Sequence, residues 1–257
     1  MRRDSARNSG GSSLAGSSSR ACGDAPVRSI SIIVPVLNES STIDALQDQL
    51  DRIDLNAERC EVVFVDGGST DGTREKVRPR YRVVTQRGRG RGGALNTGAA
   101  EAMGEVLFFL HCDSVLPEGA LSEVRDVLRT HRVGSFGIRF DRTSPVLLLC
   151  QTMSNLRIRL RHLSYGDQGL FIERELFFDA GMFPDVPLME DYQFAMNLRK
   201  HGEPLGMARR RIVTSARRFP KGEINRARTW LGMASLRAKY LRGASADELF
   251  QAYGSAR

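Results

Sequence analysis

At 257 residues, with 41% hydrophobic and 26% charged residues, the chain has enough apolar content for one α/β domain and too much to be disordered throughout. The net charge of +8 is uneven: residues 199–257 hold 14 Lys/Arg against 4 Asp/Glu, and residues 1–28 hold 5 Arg against 2 Asp. The stretch between them is therefore acidic overall, which suits a cation site beside a surface that meets phosphates.

Cys22, Cys60, Cys112 and Cys150 stand far apart with no CxxC or Cys/His cluster. A structural zinc site and a disulfide framework are not expected, and a reducing, cytoplasmic setting is the default. The longest apolar run, Val146-Leu147-Leu148-Leu149-Cys150, falls far short of the ~20 residues a membrane span needs. Met1-Arg2-Arg3 is followed by no apolar stretch, so export is not expected.

Residues 1–28 are rich in Ser, Gly and Arg and read as a disordered extension. Order starts with the β-branched run Ile30–Val36, a buried strand. Asn38-Glu39-Ser40-Ser41 supplies capping side chains for a helix carrying Ile43, Leu46, Leu50 and Ile53 on one face. A second strand, Glu61–Val65, runs into Asp66-Gly67-Gly68-Ser69-Thr70-Asp71-Gly72. Glycine after Asp66 lets a ligand come close to the backbone, and the carboxylate can accept from ribose hydroxyls or a base N–H. Asp71-Gly72 reads as a turn.

A third short strand near Arg82–Thr85 leads into Arg87-Gly88-Arg89-Gly90-Arg91-Gly92-Gly93, then a helix from about Ala94 to Met103. The glycines formally satisfy the dinucleotide fingerprint, but they follow the third strand rather than the first and arginines interleave them. Arginine between glycines at a helix start suits anionic phosphate in general. The strand Val106–Leu110 ends at His111-Cys112-Asp113, where an imidazole and a carboxylate can reach a cation just outside the sheet; a turn-capping Asp with an incidental His is the alternative. Four strands separated by helices or turns predict an α/β fold with a largely parallel sheet covered on both faces, and ligands beyond the strands' carboxyl ends.

Asn155-Leu156-Arg157-Ile158-Arg159-Leu160-Arg161-His162 alternates basic and apolar residues and reads as a solvated edge or an acceptor lid. Glu190-Asp191 opens a helix marked by Phe194 and Leu198. Such a pair either favours the helix dipole or supplies a general base for an acceptor hydroxyl. Arg217-Arg218 follows the strand-like Arg211–Thr214 and can meet a diphosphate. Trp230 through Tyr253 is amphipathic and basic; packing against the domain is favoured over peripheral contact with a membrane. Its aromatic residues are too widely spaced for nucleic-acid binding.

Taken in order, Ile33-Val34-Pro35-Val36-Leu37-Asn38-Glu39, Val65–Thr73, the glycine run with Ala94-Leu95-Asn96-Thr97-Gly98-Ala99, Leu110–Asp113 and Glu190-Asp191 resemble the family 2 glycosyltransferases over residues 29–220. Asn155-Leu156-Arg157-x-Arg159 and Tyr165-Gly166-Asp167-Gln168-Gly169 are similar to a small subgroup associated with radical-SAM clusters and labelled arsenosugar biosynthesis. The resemblance implies the GT-A fold over 29–220 and leaves 221–257 as a basic helical segment. It implies a UDP- or GDP-sugar donor, one Mn2+ or Mg2+ ion, and inversion at the anomeric carbon. Pro35, Glu39 and Asp66 would hold the nucleoside, with Arg87, Gly88 and Asn96 beside the nucleotide and its phosphates. Asp113 stands where the last carboxylate of the DxD motif binds metal, and His111 replaces the first. Asp191 stands at the catalytic base, with Glu190 its neighbour. Arg157, Asp167, Gln168, Arg217 and Arg218 are expected at the acceptor or the phosphates, the acceptor being a small molecule or a lipid phosphate. A nucleotidyltransferase or other nucleotide-binding enzyme on a related α/β sheet is the alternative; it would have no use for a base at Asp191.

Overall fold

The computed structural model describes residues 27–254, so the expected disordered extension falls almost wholly outside the described residues. A seven-stranded sheet runs in the order β3 (Arg82–Thr85), β2 (Cys60–Asp66), β1 (Ile30–Val36), β4 (Val106–Phe109), β6 (Leu170–Glu173), β5 (Val133–Phe140), β7 (Leu205–Thr214). β1 pairs in parallel with β2 and β4, β2 with β3, and β5 with β7, whereas β6 runs antiparallel to both its neighbours. The sheet is thus mostly parallel, with one reversed strand.

Period-two alternation divides the core. Ile30, Ile32, Val34 and Val36 face a cluster completed by α1 (Ile43–Leu50) and α3 (Ala120–Val127). Ile33, Val63, Val65, Leu107 and Phe109 face the opposite cluster, covered by α2 (Gly90–Glu101), α5 (Arg174–Asp179) and α6 (Glu190–Lys200). Runs buried on both faces, such as the first two strands, are what a parallel sheet between helix layers requires.

The reversed β6 decides the layout of the site. Because Phe171 pairs antiparallel with Phe108, the segment entering β6 arrives at the same sheet edge that β4 leaves. The 3-10 turn Gly166–Gln168 is thereby delivered beside His111.

Residues 155–161, expected as a solvated edge or an acceptor lid, form the second half of a helix, α4 (Pro145–Arg161). Buried Asn155 locks it to β5, accepting from Ile138 N at 2.8 Å and donating to Ile138 O at 3.0 Å. The helix after β3 starts at Gly90, inside the glycine run, rather than near Ala94. The basic tail is two helices, α7 (Glu223–Leu241) and α8 (Ala246–Gly254), broken at Gly243, which has a φ of 96°.

Small residues let α2 lie close to the sheet. A Cβ on Gly98 would stand 2.3 Å from Ile33 Cγ2 and 2.9 Å from Val65 Cγ2, both in the core. Gly98→Val should therefore destabilise the fold by about 3 kcal/mol through overpacking, read as a fall in thermal midpoint by circular dichroism; an unchanged midpoint would contradict this packing.

Candidate functional site

The site lies at the carboxyl edge of β1, β2 and β4, where the loops are cross-tied. Asn38, in the left-handed region at φ 55°, accepts from Thr70 N at 2.9 Å, and its own N–H donates to Ser69 Oγ at 3.0 Å. Asp71 closes its expected turn by accepting from Thr73 N at 3.1 Å, and accepts from Ser40 N at 3.1 Å. Buried Asp66 accepts from Gly68 N at 3.3 Å and Ser69 N at 3.1 Å. Pro35 stands beside Val65 in the β1–β2 ladder.

Two arginines organise the carboxylates. Arg217, just beyond β7, forms a two-pronged contact with Glu39 at 2.7 and 3.0 Å, and its Nε lies 3.1 Å from Asp113 Oδ2. Burial works to raise the Glu39 pKa, but hydrogen bonds from Arg217 and Thr42 outweigh it, and the net shift is downward. A guanidinium therefore bridges the expected nucleoside-binding and metal-binding acids. Cys112, between His111 and Asp113, is pushed up to about 12, mainly by burial, so it remains a thiol and a poor metal ligand at neutral pH.

Arg91 sits deeper. Its Nε is 2.5 Å from Glu190 Oε1, its Nη2 3.0 Å from Asp191 Oδ2, and its Nη1 3.3 Å from His111 Nε2. A guanidinium only donates, so His111 Nε2 accepts and the imidazole is neutral with its proton on Nδ1. Burial first, then the positive charge of Arg91, holds the His111 pKa well below its ordinary value. Burial also raises the Glu190 pKa, against the pull of Arg91. Asp191 has both oxygens fixed: Oδ2 also accepts from Gly166 N at 2.8 Å, and Oδ1 from Tyr192 N at 2.7 Å. Met189, at φ 70°, turns the chain into this pair, a strained geometry for a bulky residue.

Glycine makes this crowding possible. A Cβ on Gly92 would stand 2.9 Å from Pro184 O, and one on Gly166 would stand 3.1 Å from both Arg91 Cζ and His111 Nε2. The glycine run thus lets α2 approach the 184–190 segment. Arg91 was expected at phosphate with the rest of that run; instead it is committed to carboxylates.

The other expected residues separate into two groups. Arg157 donates to Gln168 Oε1 at 3.0 Å and stacks 3.5 Å from the centre of the Tyr165 ring, while Tyr165 N donates to the same Gln168 oxygen at 2.8 Å. Buried Gln168 Nε2 has no partner among the described residues. Asp167 is drawn up in pKa by burial and lies within the field of Arg157, Asp191 and Arg91. These residues adjoin Asp191. Asn96 and Arg87 do not. Asn96 is bound to the backbone of Phe183 at 2.7 and 3.1 Å, and Arg87 is exposed and pairs with Glu101 at 3.2 Å. Gly88, at φ 86°, packs against Gly93. Arg218 contributes to the positive field at His111. Sequence reading missed Tyr165 as a stacking platform and Arg237 of α7, whose guanidinium lies 5.3 Å from that ring.

Among the described residues no group of three or more His, Cys, Asp or Glu is arranged to hold a metal ion, and no helix is long and apolar enough to cross a membrane.

Comparison with known proteins gives this architecture a class. The mannosyltransferase PcManGT from Pyrobaculum calidifontis, solved with GDP-Man and Mn2+, superposes with a TM-score of 0.61 at 23% identity, covering 87% of this chain and 67% of that one. Glucosyl-3-phosphoglycerate synthase from Mycobacterium tuberculosis, solved with Mn2+, UDP and phosphoglyceric acid, gives 0.55 at 21% identity, covering 80% and 77%. The fold is GT-A, the nucleotide-diphospho-sugar transferase architecture. Residues 31–183 match the description "Glycosyl transferase family 2", and the chain belongs to that family. An uncharacterized glycosyltransferase, YaiP of Escherichia coli K12, is 26% identical over 226 residues, 79% of this chain and 56% of its own length. The chain spans just over half of YaiP and about a quarter of each of the other curated relatives it matches.

Arg91→Ala leaves Glu190 and Asp191 without their shared counter-charge. A fully enclosed pair would lose about 3–5 kcal/mol, but the Arg91 side chain is 29% exposed, so a cost of about 2 kcal/mol is expected. The thermal midpoint should fall by roughly 5 °C, with part recovered in the double variant Arg91→Met, Glu190→Gln. An unchanged midpoint for the single variant would refute the clamp.

Proposed function

We propose that the chain transfers a sugar from a UDP- or GDP-sugar to a hydroxyl acceptor in a single inverting displacement that uses a divalent cation. The observation that carries this reading is the spatial series Glu39–Arg217–Asp113 and His111–Arg91–Asp191 along one sheet edge. PcManGT bound GDP-Man and Mn2+, and the phosphoglycerate enzyme bound Mn2+ and UDP, which supports both donor class and metal. Neither relative nor neighbour favours the nucleotidyltransferase alternative.

Asp113 fits a cation: its carboxylate is already compensated by positive charge, from Arg217. His111 fits less well, since its Nε2 lone pair is engaged by Arg91. Mn2+ or Mg2+ would therefore be held through Asp113 and the donor's own phosphate oxygens, neutralising charge on the leaving diphosphate. Pro35, Glu39 and Asp66 take the nucleoside. Arg217, freed from Glu39 and Asp113 when the donor enters, and Arg218 turn to the diphosphate, beside the Gly88 loop. Asp191, oriented by Arg91 and the Gly166 N–H, takes the proton of the attacking hydroxyl. Arg157, Asp167 and the unpartnered amide of Gln168 face the acceptor question: they form the polar group beside Asp191 from which an acceptor would be recognised.

The narrower likeness to the radical-SAM-associated arsenosugar subgroup is supported by contact between its two segments, since Arg157 meets both Tyr165 and Gln168. A cytoplasmic setting suits a donor of this kind. Peripheral membrane contact through residues 221–257 suits a lipid-phosphate acceptor, and a soluble phosphorylated one remains the other choice.

Calorimetric titration with UDP and GDP, with and without Mn2+, tests the reading. Tight binding of one nucleotide should need Mn2+ and should weaken at least about tenfold in Asp113→Ala, a loss of ~1.4 kcal/mol. Binding of neither nucleotide, or binding indifferent to both metal and Asp113, overturns it.

A further inference from the structure

α4 and α7 form a ridge whose outer surface the transfer reaction does not use. The inner face of α4 is buried through Leu147, Cys150, Asn155 and Ile158. Its outer face carries Leu149, Met153, Leu156 and Leu160, at steps of four, three and four residues, all exposed and Leu160 70% so. That spacing places them in one stripe three turns long. Leu148 is exposed beside it. α7 is 19 residues long and has no fully buried residue; Ile224, Leu231 and Leu241 are exposed on it.

The two helices lie side by side in the same direction. At their starts Val146 N donates to Glu223 Oε2 at 3.1 Å, and farther along Arg157 and Arg237 approach the same Tyr165 ring. Their solvent faces therefore adjoin. Charge on this ridge is almost all positive. α4 contains no Asp or Glu, and Glu223 is the one acid of α7. Arg159, Arg161, Arg228, Lys239 and Arg242 are exposed and belong to none of the ion pairs among the described residues.

We propose that this ridge docks on an anionic lipid bilayer, with Leu149, Met153, Leu156 and Leu160 entering the boundary of the acyl region and the five unpaired cations meeting lipid phosphates. Aliphatic side chains flanked by cations are the pattern of a helix lying in a membrane interface. A second copy fits worse, because a two-fold contact would set the unpaired cations of one chain against the same cations of the other. A nucleic acid would use the cations but not the aliphatic stripe. Docking brings the Tyr165–Gly166–Asp191 end of the site to the bilayer surface, which points to a membrane-borne acceptor; that consequence, unlike the docking itself, rests on the glycosyltransferase reading.

Flotation of the full chain with vesicles tests the docking. Wild type should float with phosphatidylcholine vesicles containing phosphatidylglycerol about tenfold better than with phosphatidylcholine alone, and should be released by high salt. The triple variant Met153→Ser, Leu156→Ser, Leu160→Ser should lose most of that flotation while keeping its nucleotide binding and melting profile. Because this variant keeps every cation, including those of residues 1–28, it separates the stripe from general basic attraction. Absence of wild-type flotation at low salt, equal flotation of the triple variant, or a wild-type dimer that the variant converts to monomer in sedimentation would each overturn the proposal. Nucleotide binding in the same samples reports on the donor site independently, so failure of docking and failure of the transfer reading are distinguishable.

Discussion

Everything at the candidate active site depends on one guanidinium held between two adjacent carboxylates and an imidazole. Glu190 and Asp191 are neighbours at the first turn of α6, where the helix dipole favours negative charge but where two acids repel each other. Arg91 resolves that conflict with one hydrogen bond to each, and it uses its remaining amino group on His111. Three chain segments, the start of α2, the end of β4 and the start of α6, are fixed by a single side chain. Neutral His111 follows from the same contact, since a second positive charge there would be both buried and opposed.

A second arginine performs a related task nearer the surface. Arg217 ties the loop after β1 to the end of β4 from its own place beyond β7, joining Glu39 to Asp113. The two bridges differ in what they permit. Arg91 lies against Gly166 and is held by two carboxylates, so its contacts are part of the packing. Arg217 has a side chain 45% exposed and holds its partners through solvent-accessible hydrogen bonds and charge, so an incoming anion can compete for it. One bridge sets the geometry of the proposed base, and the other compensates the acids of the proposed donor side.

Much of this was legible in the sequence where local pattern decides structure. The apolar runs marked β1, β2 and β4, and Glu39, Asp66 and Asp113 after them lay where the edge of a parallel sheet puts ligands. The start of α6 was marked by its acids and the spacing of Phe194 and Leu198. What escaped the sequence depended on contacts between distant segments. The alternation of Arg and apolar residues at 156–161 has the period of a strand, yet the segment is the second half of a helix docked on β5 through Asn155 and Ile138. Arg91 sits among glycines that suggest phosphate, and only the approach of residues 184–190 turns it toward carboxylates. Asn96 shows the same limit, because its partner, the backbone of Phe183, lies far along the chain. The reversed β6, which brings Gly166 to Asp191, left no local mark at all.

The most direct measurement of the central claim is release of nucleoside diphosphate from a panel of UDP- and GDP-sugars with Mn2+, comparing wild type with Asp191→Asn. Water can stand in for the unidentified acceptor, so slow release needs no knowledge of it. The account predicts release from one donor class, reduced at least about a hundredfold in Asp191→Asn, with nucleotide binding retained in the variant. Release that is equal in the two proteins, or absent with every donor despite nucleotide binding, would contradict the assignment of Asp191 as the base held in place by Arg91.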